Sequence, residues 1–329
     1  MKTLISYFFV LMLFVMSLYG HGKLFAQCCT SGNPFISDAE QPALQSKVLT
    51  ASLLYRYNDS HQYYYNDSRY NDLPFTQRSF SNYMEMQLAY GITGWMTVQT
   101  DLGYFINKTQ KTSNQQTYRG NGLGDLGLQL KFNAWHNTKA RFSVSPAIGV
   151  KFPVGVFDQE VDHVKLPIAV QPSSGSFKYN GSVFVYKGFG KKLSLAAYGS
   201  YEYSQRIESE NFCYKYGDLW IAAIYFNYQA WKSFNINLQF RNESRYKASR
   251  GYYETVNASG YEVVFFTPQV TVSLPRNWYL SAYADIPVYK YYNDLQMSFG
   301  YALSFKVTRK IDFIALKARH SANQSNIAE

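Results

Sequence analysis

Apolar and polar residues alternate with a period of two along most of the chain. This pattern is typical of β-strands with one dry face and one wet face. From Asp125 to Ala134 the even-numbered positions are apolar and the odd-numbered ones are small or polar, and 234–240 and 264–274 alternate in the same way. After the first 26 residues the longest apolar run is 219–226, eight residues, whereas a membrane helix needs about 20. We expect an all-β fold in which no helix crosses a membrane.

Twelve segments of the sequence are predicted as strands, each about as long as a tilted membrane strand. They lie near residues 46–57, 78–90, 95–107, 122–135, 140–152, 177–189, 193–205, 216–229, 233–245, 261–274, 278–290 and 294–307. Long polar connections (58–77, 108–121, 153–176, 206–215 and 246–260) alternate with short turns (91–94, 136–139, 190–192, 230–232 and 275–277). Long outer loops and short periplasmic turns are typical of outer-membrane barrels. The sequence predicts a transmembrane antiparallel up-and-down β-barrel of about 12 strands in the cell outer membrane.

Aromatic residues favour the same fold. The 329 residues include 31 Tyr, 24 Phe and 5 Trp, although the mean hydropathy is only −0.29. Four Trp flank predicted short turns, at positions 95, 135, 231 and 278. Membrane barrels carry such aromatic girdles at the two interfaces. This composition excludes a disordered or fibrous chain.

The first 26 residues resemble a secretory signal peptide, with Lys2, an apolar stretch and a small residue, Ala26, at the expected cleavage point. A lipoprotein signal with Cys28 as the lipidated residue is the alternative. The expected organisation is a signal peptide at 1–26, a periplasmic N-terminal segment at 27–45, the barrel at 46–308 and a periplasmic C-terminal tail at 309–329. The cysteines, at 28, 29 and 213, form no disulfide framework by their spacing, and we assign them no role.

Three motifs resemble a known family. They are GLGDLGLQLKF at 122–132, KFPVG at 151–155 and PVYKYYND at 287–294. They are similar to motifs of Gram-negative outer-membrane proteins described as transporters or as proteins of the MetA pathway of phenol degradation. The likeness covers roughly residues 80–307, and it implies an outer-membrane barrel for transport.

Other chemistries have weaker support in the sequence. Gly122, Gly124 and Gly127 match the dinucleotide-binding pattern, but the helix that this pattern requires is absent, and we expect no cofactor. No nucleophile has a base beside it in a recognisable motif, so we expect no enzyme. A weak candidate cation site lies in the third long connection, where carboxylates and one imidazole fall close together, at Asp158, Glu160, Asp162 and His163.

Charged residues with inward parity are the candidate lining of the lumen. They are Glu85, Asp101, Lys131, Lys151, Arg241, Asp285 and Lys306, and the first three are expected to form one row. One expectation is that these charges only pair across the lumen and hold the wall rigid. The functional hypothesis is that they order small solutes by charge.

Basic residues, densest at Arg245, Lys247 and Arg250, favour contact with the anionic head groups of lipopolysaccharide over nucleic acid. The sequence thus indicates a barrel that passes or binds small solutes. One alternative is a non-conducting barrel whose Tyr-rich external loops bind a partner or surface. Another is a secreted β-sandwich lectin.

Overall fold

The computed structural model of the protein describes residues 43–71, 76–161, 163–209 and 212–314. The expected signal peptide, most of the N-terminal segment and most of the C-terminal tail lie outside the described residues. Among the residues described, no helix is long and apolar enough to cross a membrane.

Twelve long antiparallel strands make up the body of the fold, as the sequence predicts. They are β1 (Val48–Ser60), β2 (Thr76–Gly91), β3 (Met96–Thr112), β4 (Thr117–Phe132), β5 (Phe142–Phe152), β6 (Lys178–Phe189), β7 (Leu193–Ser204), β8 (Leu219–Trp231), β9 (Phe234–Arg245), β10 (Tyr261–Leu274), β11 (Trp278–Met297) and β12 (Tyr301–Asp312). Each strand pairs with its neighbours in chain order. The β1–β12 pairing, from Val48 opposite Asp312 to Asp59 opposite Tyr301, closes the sheet into a barrel.

The outward face of the barrel is apolar, which explains the period of two. Leu53, Ile148 and Phe305 point outward and are 48%, 59% and 59% exposed. Such a belt would be unfavourable in water but suits lipid. Trp95, Trp135, Trp231 and Trp278 all lie at the short-turn end, as predicted. The first three are exposed, and the Trp278 ring lies 5.0 Å from the guanidinium carbon of Arg309.

Two connections differ from the sequence prediction. The predicted loop at 108–121 is mostly strand, because β3 and β4 continue as a paired ladder in which Thr109 lies opposite Arg119. The last strand is predicted at 294–307, but β11 continues to Met297 and β12 runs on to Asp312. The barrel therefore extends four residues past the predicted end at 308. Phe299 falls in the connection between β11 and β12, and its ring packs 4.9 Å from that of Tyr261.

The outer connections carry secondary structure of their own. A hairpin of Tyr63–Asn66 and Ser68–Tyr70 extends the sheet beside β11. A four-stranded sheet, which we call the loop sheet, combines two outer connections through Ile207–Ser209, Phe212–Lys215, Ala248–Arg250 and Glu254–Val256. Two smaller elements are the strand pair Glu160–Val161 with Val164–Lys165 and the 3-10 turn Ile168–Val170; a second 3-10 turn, Pro275–Asn277, links β10 to β11 at the short-turn end.

The alternation of connections predicts the orientation of the barrel. Epitope tags inserted at Gln115 and at Tyr253, which is 98% exposed, should be labelled by antibody on intact cells. A tag at Asn137, at the short-turn end, should be labelled only after the outer membrane is permeabilised. Labelling of the Asn137 tag alone on intact cells would reverse this topology.

Candidate lumen and its charged inner wall

The inner wall of the barrel is polar and holds many ionisable side chains. All seven charged residues with predicted inward parity are buried, from 1% exposed for Asp285 to 7% for Lys306. Each lies on a barrel strand, on the face opposite the apolar belt. Burying a charge is costly unless it is paired. The partners of these side chains therefore show how the inner wall stabilises its charges.

Asp285 on β11 is the centre of the first charge cluster. Its carboxylate receives Arg56 at 2.6 Å and Arg241 at 3.2 Å, and the Thr267 hydroxyl donates to it at 2.5 Å. Arg241 also donates to Glu243 at 2.9 Å. Because Arg241 lies on β9 and Arg56 on β1, this cluster spans five consecutive strands, β9 to β12 and then β1, across the point where the barrel closes. Arg56 and Glu243 are not among the predicted lumen residues, although both share the inward parity of their strands.

The second charge cluster lies on the wall formed by β3 to β7. Lys151 on β5 donates to Glu202 on β7 at 2.6 Å, across the intervening strand. Asp101, Gly127 and Lys151 occupy one row of register partners. A Cβ at Gly127 would lie 2.4 Å from the Asp101 carboxylate. The glycine thus leaves room for that carboxylate to lean toward Lys151.

The expected row of Glu85, Asp101 and Lys131 is not the row that the register forms. Lys131 lies opposite Thr97 and Ala147, four residues from the partner of Asp101. Glu85 does lie opposite Gly103, as expected. The two irregularities in the β3–β4 pairing cancel, so Asp101 lies opposite Gly127 in the same register that places Lys111 opposite Thr117. This register is fixed by the turn between Thr112 and Thr117, whose position the predicted loop at 108–121 does not define.

Glu85 has a neutral partner within the wall. Tyr83 donates its hydroxyl to the Glu85 carboxylate at 2.8 Å. The Tyr83 ring lies over Gly103, where a Cβ would come within 1.9 Å of its oxygen, and packs 4.7 Å from Phe105. The remaining predicted residue, Lys306 on β12, lies between Leu54 and Ser281 in the register.

Aromatic and aliphatic side chains cover another part of the inner wall. They form a buried cluster on β6, β7 and β8: Phe184, Ala196, Tyr198, Leu219, Ile221, Ala223 and Tyr225. The Phe184 and Tyr225 rings lie 6.5 Å apart. The lumen therefore has charged walls beside an apolar one.

The third long connection folds inward at the outer mouth. Its residues 166–176, which we call the strap, pack against a series of glycines at the outer end of β4. A Cβ at Gly120 would lie 2.0 Å from the Val170 carbonyl oxygen, and Gly124 approaches the Pro172 carbonyl oxygen. Val170 is fully buried. Two of the three glycines that match the dinucleotide-binding pattern, Gly122 and Gly124, thus lie beside Pro172 of the strap.

Polar contacts fasten the strap to the wall. Asp125 accepts hydrogen bonds from the Ser173 hydroxyl at 2.7 Å, the Ser174 backbone N–H at 2.9 Å and the Ser174 hydroxyl at 2.5 Å. Lys108 donates to the Gln171 carbonyl at 2.9 Å. The strap residue Ile168 packs against the buried Tyr214 of the loop sheet and its neighbours. Strap and loop sheet are therefore in contact with each other at the outer end of the barrel.

Residues 43–47 cover part of the inner wall at the short-turn end. The Leu44 N–H donates to the Thr97 hydroxyl at 2.7 Å, and the Lys47 backbone N–H donates to the Gly91 carbonyl at 2.7 Å. On the far side of this end, inner-face polar side chains on β8 to β11 stay half-buried: Asn227, Asn237, Gln269 and Ser281. At this end, residues 43–47 therefore cover one side of the lumen, and the side formed by β8 to β11 is less covered.

The structure does not bring the weak cation candidates together as a set of metal ligands among the described residues. Asp162 lies outside the described residues, and Asp158, Glu160 and His163 are exposed. Within the described ranges, no three His, Cys, Asp or Glu side chains are grouped as metal ligands would be. Cys213 is a free thiol in the loop sheet.

The fold is similar to that of solved outer-membrane proteins. The crystal structure of the COG4313 outer membrane channel from Pseudomonas putida F1 matches with a TM-score of 0.69 and 13% identity, covering 84% of this chain and 100% of that chain. This protein is an outer-membrane β-barrel. A Pseudomonas aeruginosa FadL homologue matches more weakly, with a TM-score of 0.48 and 8% identity over 89% of this chain and 100% of that one, and adds nothing to this conclusion. No protein-family model and no curated protein matches the sequence.

The Asp125 contacts predict how firmly the strap is held. Replacing Asp125 by Ala removes three charge-assisted hydrogen bonds, each worth about 1.5–3 kcal/mol. Amide hydrogen exchange in residues 166–176 should therefore rise by at least about tenfold, which corresponds to about 1.4 kcal/mol. The matched control is Asp158→Ala, which removes an exposed carboxylate from the same connection and should leave exchange in the strap unchanged. Equal exchange in both variants, with the barrel folded, would show that Asp125 does not hold the strap.

Proposed function

We propose that this barrel is a channel for small solutes, and that its charged inner wall selects among them. The observation that carries the proposal is the burial of two charge clusters on the inner face. A barrel that conducts no solute can fill its interior with apolar side chains, which cost less to bury than ions. In this barrel, ion pairs between strands that are not adjacent hold charged side chains on the inner face, and these side chains supply a polar path through the lumen.

The geometry also supports restriction at the outer mouth. The strap and the loop sheet lie at that end, so a solute must pass beside the strap to reach the charge clusters. Twelve strands lie between small barrels filled by side chains and large porins with an open channel. A narrow lumen of this kind favours small solutes.

The resemblance to transporters of the MetA-pathway type supports the same proposal. We propose further that a signal peptide at 1–26 directs export.

Lipopolysaccharide is the proposed partner outside the lumen. Arg245 donates to the Gly217 carbonyl at 2.9 Å, while Arg250 is exposed at the edge of the loop sheet. Basic side chains at this level would meet the anionic head groups of the outer leaflet.

Charge selection by the wall predicts the effect of neutral substitutions. The double variant Glu85→Gln and Asp101→Asn makes the wall less negative, so the reversal potential under a salt gradient should shift toward anion selectivity in planar-bilayer recordings. Lys131→Gln should shift it toward cation selectivity. The control is Glu254→Gln, an exposed carboxylate of the loop sheet, which should leave the reversal potential unchanged. Reversal potentials that stay at the wild-type value in all variants would show that these charges only stiffen the wall.

A further inference from the structure

One patch of the inner wall holds polar atoms without partners. Register partners place Gln129 on β4, Gly149 on β5, Asn180 on β6 and Glu202 on β7 in a single row. The adjacent row contains Lys151, Lys178 and Ser204. The two rows lie side by side on the same face, within the second charge cluster.

Four side chains of these rows each keep one buried polar atom that makes no hydrogen bond among the described residues. These atoms are Gln129 Nε2, Asn180 Nδ2, Glu202 Oε1 and Ser204 Oγ. Gln129, Glu202 and Ser204 are 2%, 5% and 0% exposed. An unsatisfied buried polar group costs about 1–3 kcal/mol, and most such groups in native proteins have partners. Four in two adjacent rows point to a missing partner common to them.

The charge of the patch is balanced. Glu202 is paired with Lys151 at 2.6 Å, and Lys178 lies 3.8 Å from Asp125. A cation attracted by either carboxylate would meet a lysine ammonium, and an anion attracted by a lysine would meet a carboxylate. Net attraction for ions is therefore small, and hydrogen bonding decides what binds.

The free atoms define the hydrogen-bonding groups that a ligand must present. The amide nitrogens require acceptors, the carboxylate oxygen requires a donor and the serine hydroxyl takes either. A hydroxyl group both donates and accepts, so one solute with several hydroxyls satisfies all four atoms.

The neighbouring inner-face residues suit such a solute. Along β6 and β7 from this row, the next pair on the inner face is Ser182 with Ser200, and the one after it is Phe184 with Tyr198. Short hydroxyl side chains are thus followed by the aromatic cluster, which offers an apolar face for the carbon skeleton of a ring.

We propose that Gln129, Asn180, Glu202 and Ser204 form a subsite for a neutral polyhydroxylated solute, a sugar or polyol, on the path through the lumen. This proposal deepens the proposed function, since it names a class of solute for that channel. Because the proposal concerns solute binding, it can be tested by a binding measurement that does not require ion conduction.

The test is isothermal titration calorimetry of the detergent-solubilised full-length protein with D-glucose as the probe. Glycine betaine, which is small and has no hydroxyl, is the comparison solute. Wild-type protein should bind glucose and should not bind glycine betaine. The double variant Gln129→Met and Asn180→Leu keeps the side-chain shapes and removes both amides. It should weaken glucose binding by at least about tenfold, as expected for two lost hydrogen bonds.

A matched control makes the same two chemical changes on the opposite wall. Gln269→Met on β10 and Asn237→Leu on β9 also lie on the inner face, and this double variant should bind glucose as the wild type does. A wild-type protein that binds no glucose, or a control that loses as much affinity as the site variant, would overturn the subsite. The proposal that the barrel is a channel is tested separately, by whether the wild-type protein conducts ions.

Discussion

Closure of the sheet between β1 and β12 is the constraint on which the rest of the structure depends. In lipid an unpaired backbone N–H or C=O costs several kcal/mol, so a sheet can cross a membrane only when it has no edge. Twelve partners from Val48 opposite Asp312 onward supply that closure. Once the sheet is closed, alternate residues must point either to lipid or to a common interior. The apolar belt and the polar inner wall follow from this single geometric fact.

The interior then has to accommodate charges that water no longer solvates fully. Ion pairs that skip a strand do this: Lys151 reaches Glu202 across β6, and Arg241 reaches Asp285 across β10. Removing one partner of such a buried pair typically costs about 3–5 kcal/mol, so these pairs make the wall rigid as well as polar. Glycines on β3 and β4 provide room for large groups on neighbouring strands, at Gly103 for the Tyr83 ring and at Gly120 for the strap. Rigidity and shape of the lumen thus come from the same few residues.

Much of the fold could be predicted from the sequence because its signals are local. The period of two, the alternation of connection lengths and the Trp at the short turns each depend on neighbouring residues only. The row of charges could not be predicted, because Lys131 and Asp101 are separated by a register that depends on the exact position of the β3–β4 turn, between Thr112 and Thr117. The inward strap could not be predicted either, since its contacts with Asp125 join residues 48 and 49 positions apart. Parity along β1, β7 and β9 could have identified Arg56, Glu202 and Glu243.

The central claim is that this closed barrel conducts, and a planar-bilayer recording of the purified wild-type protein tests it most directly. Discrete current steps of uniform size are expected in potassium chloride, because a narrow lumen with buried charges still admits small ions. The folded state is established beforehand by the faster gel migration of the unboiled protein. Insertion of folded protein without any current step would contradict the claim.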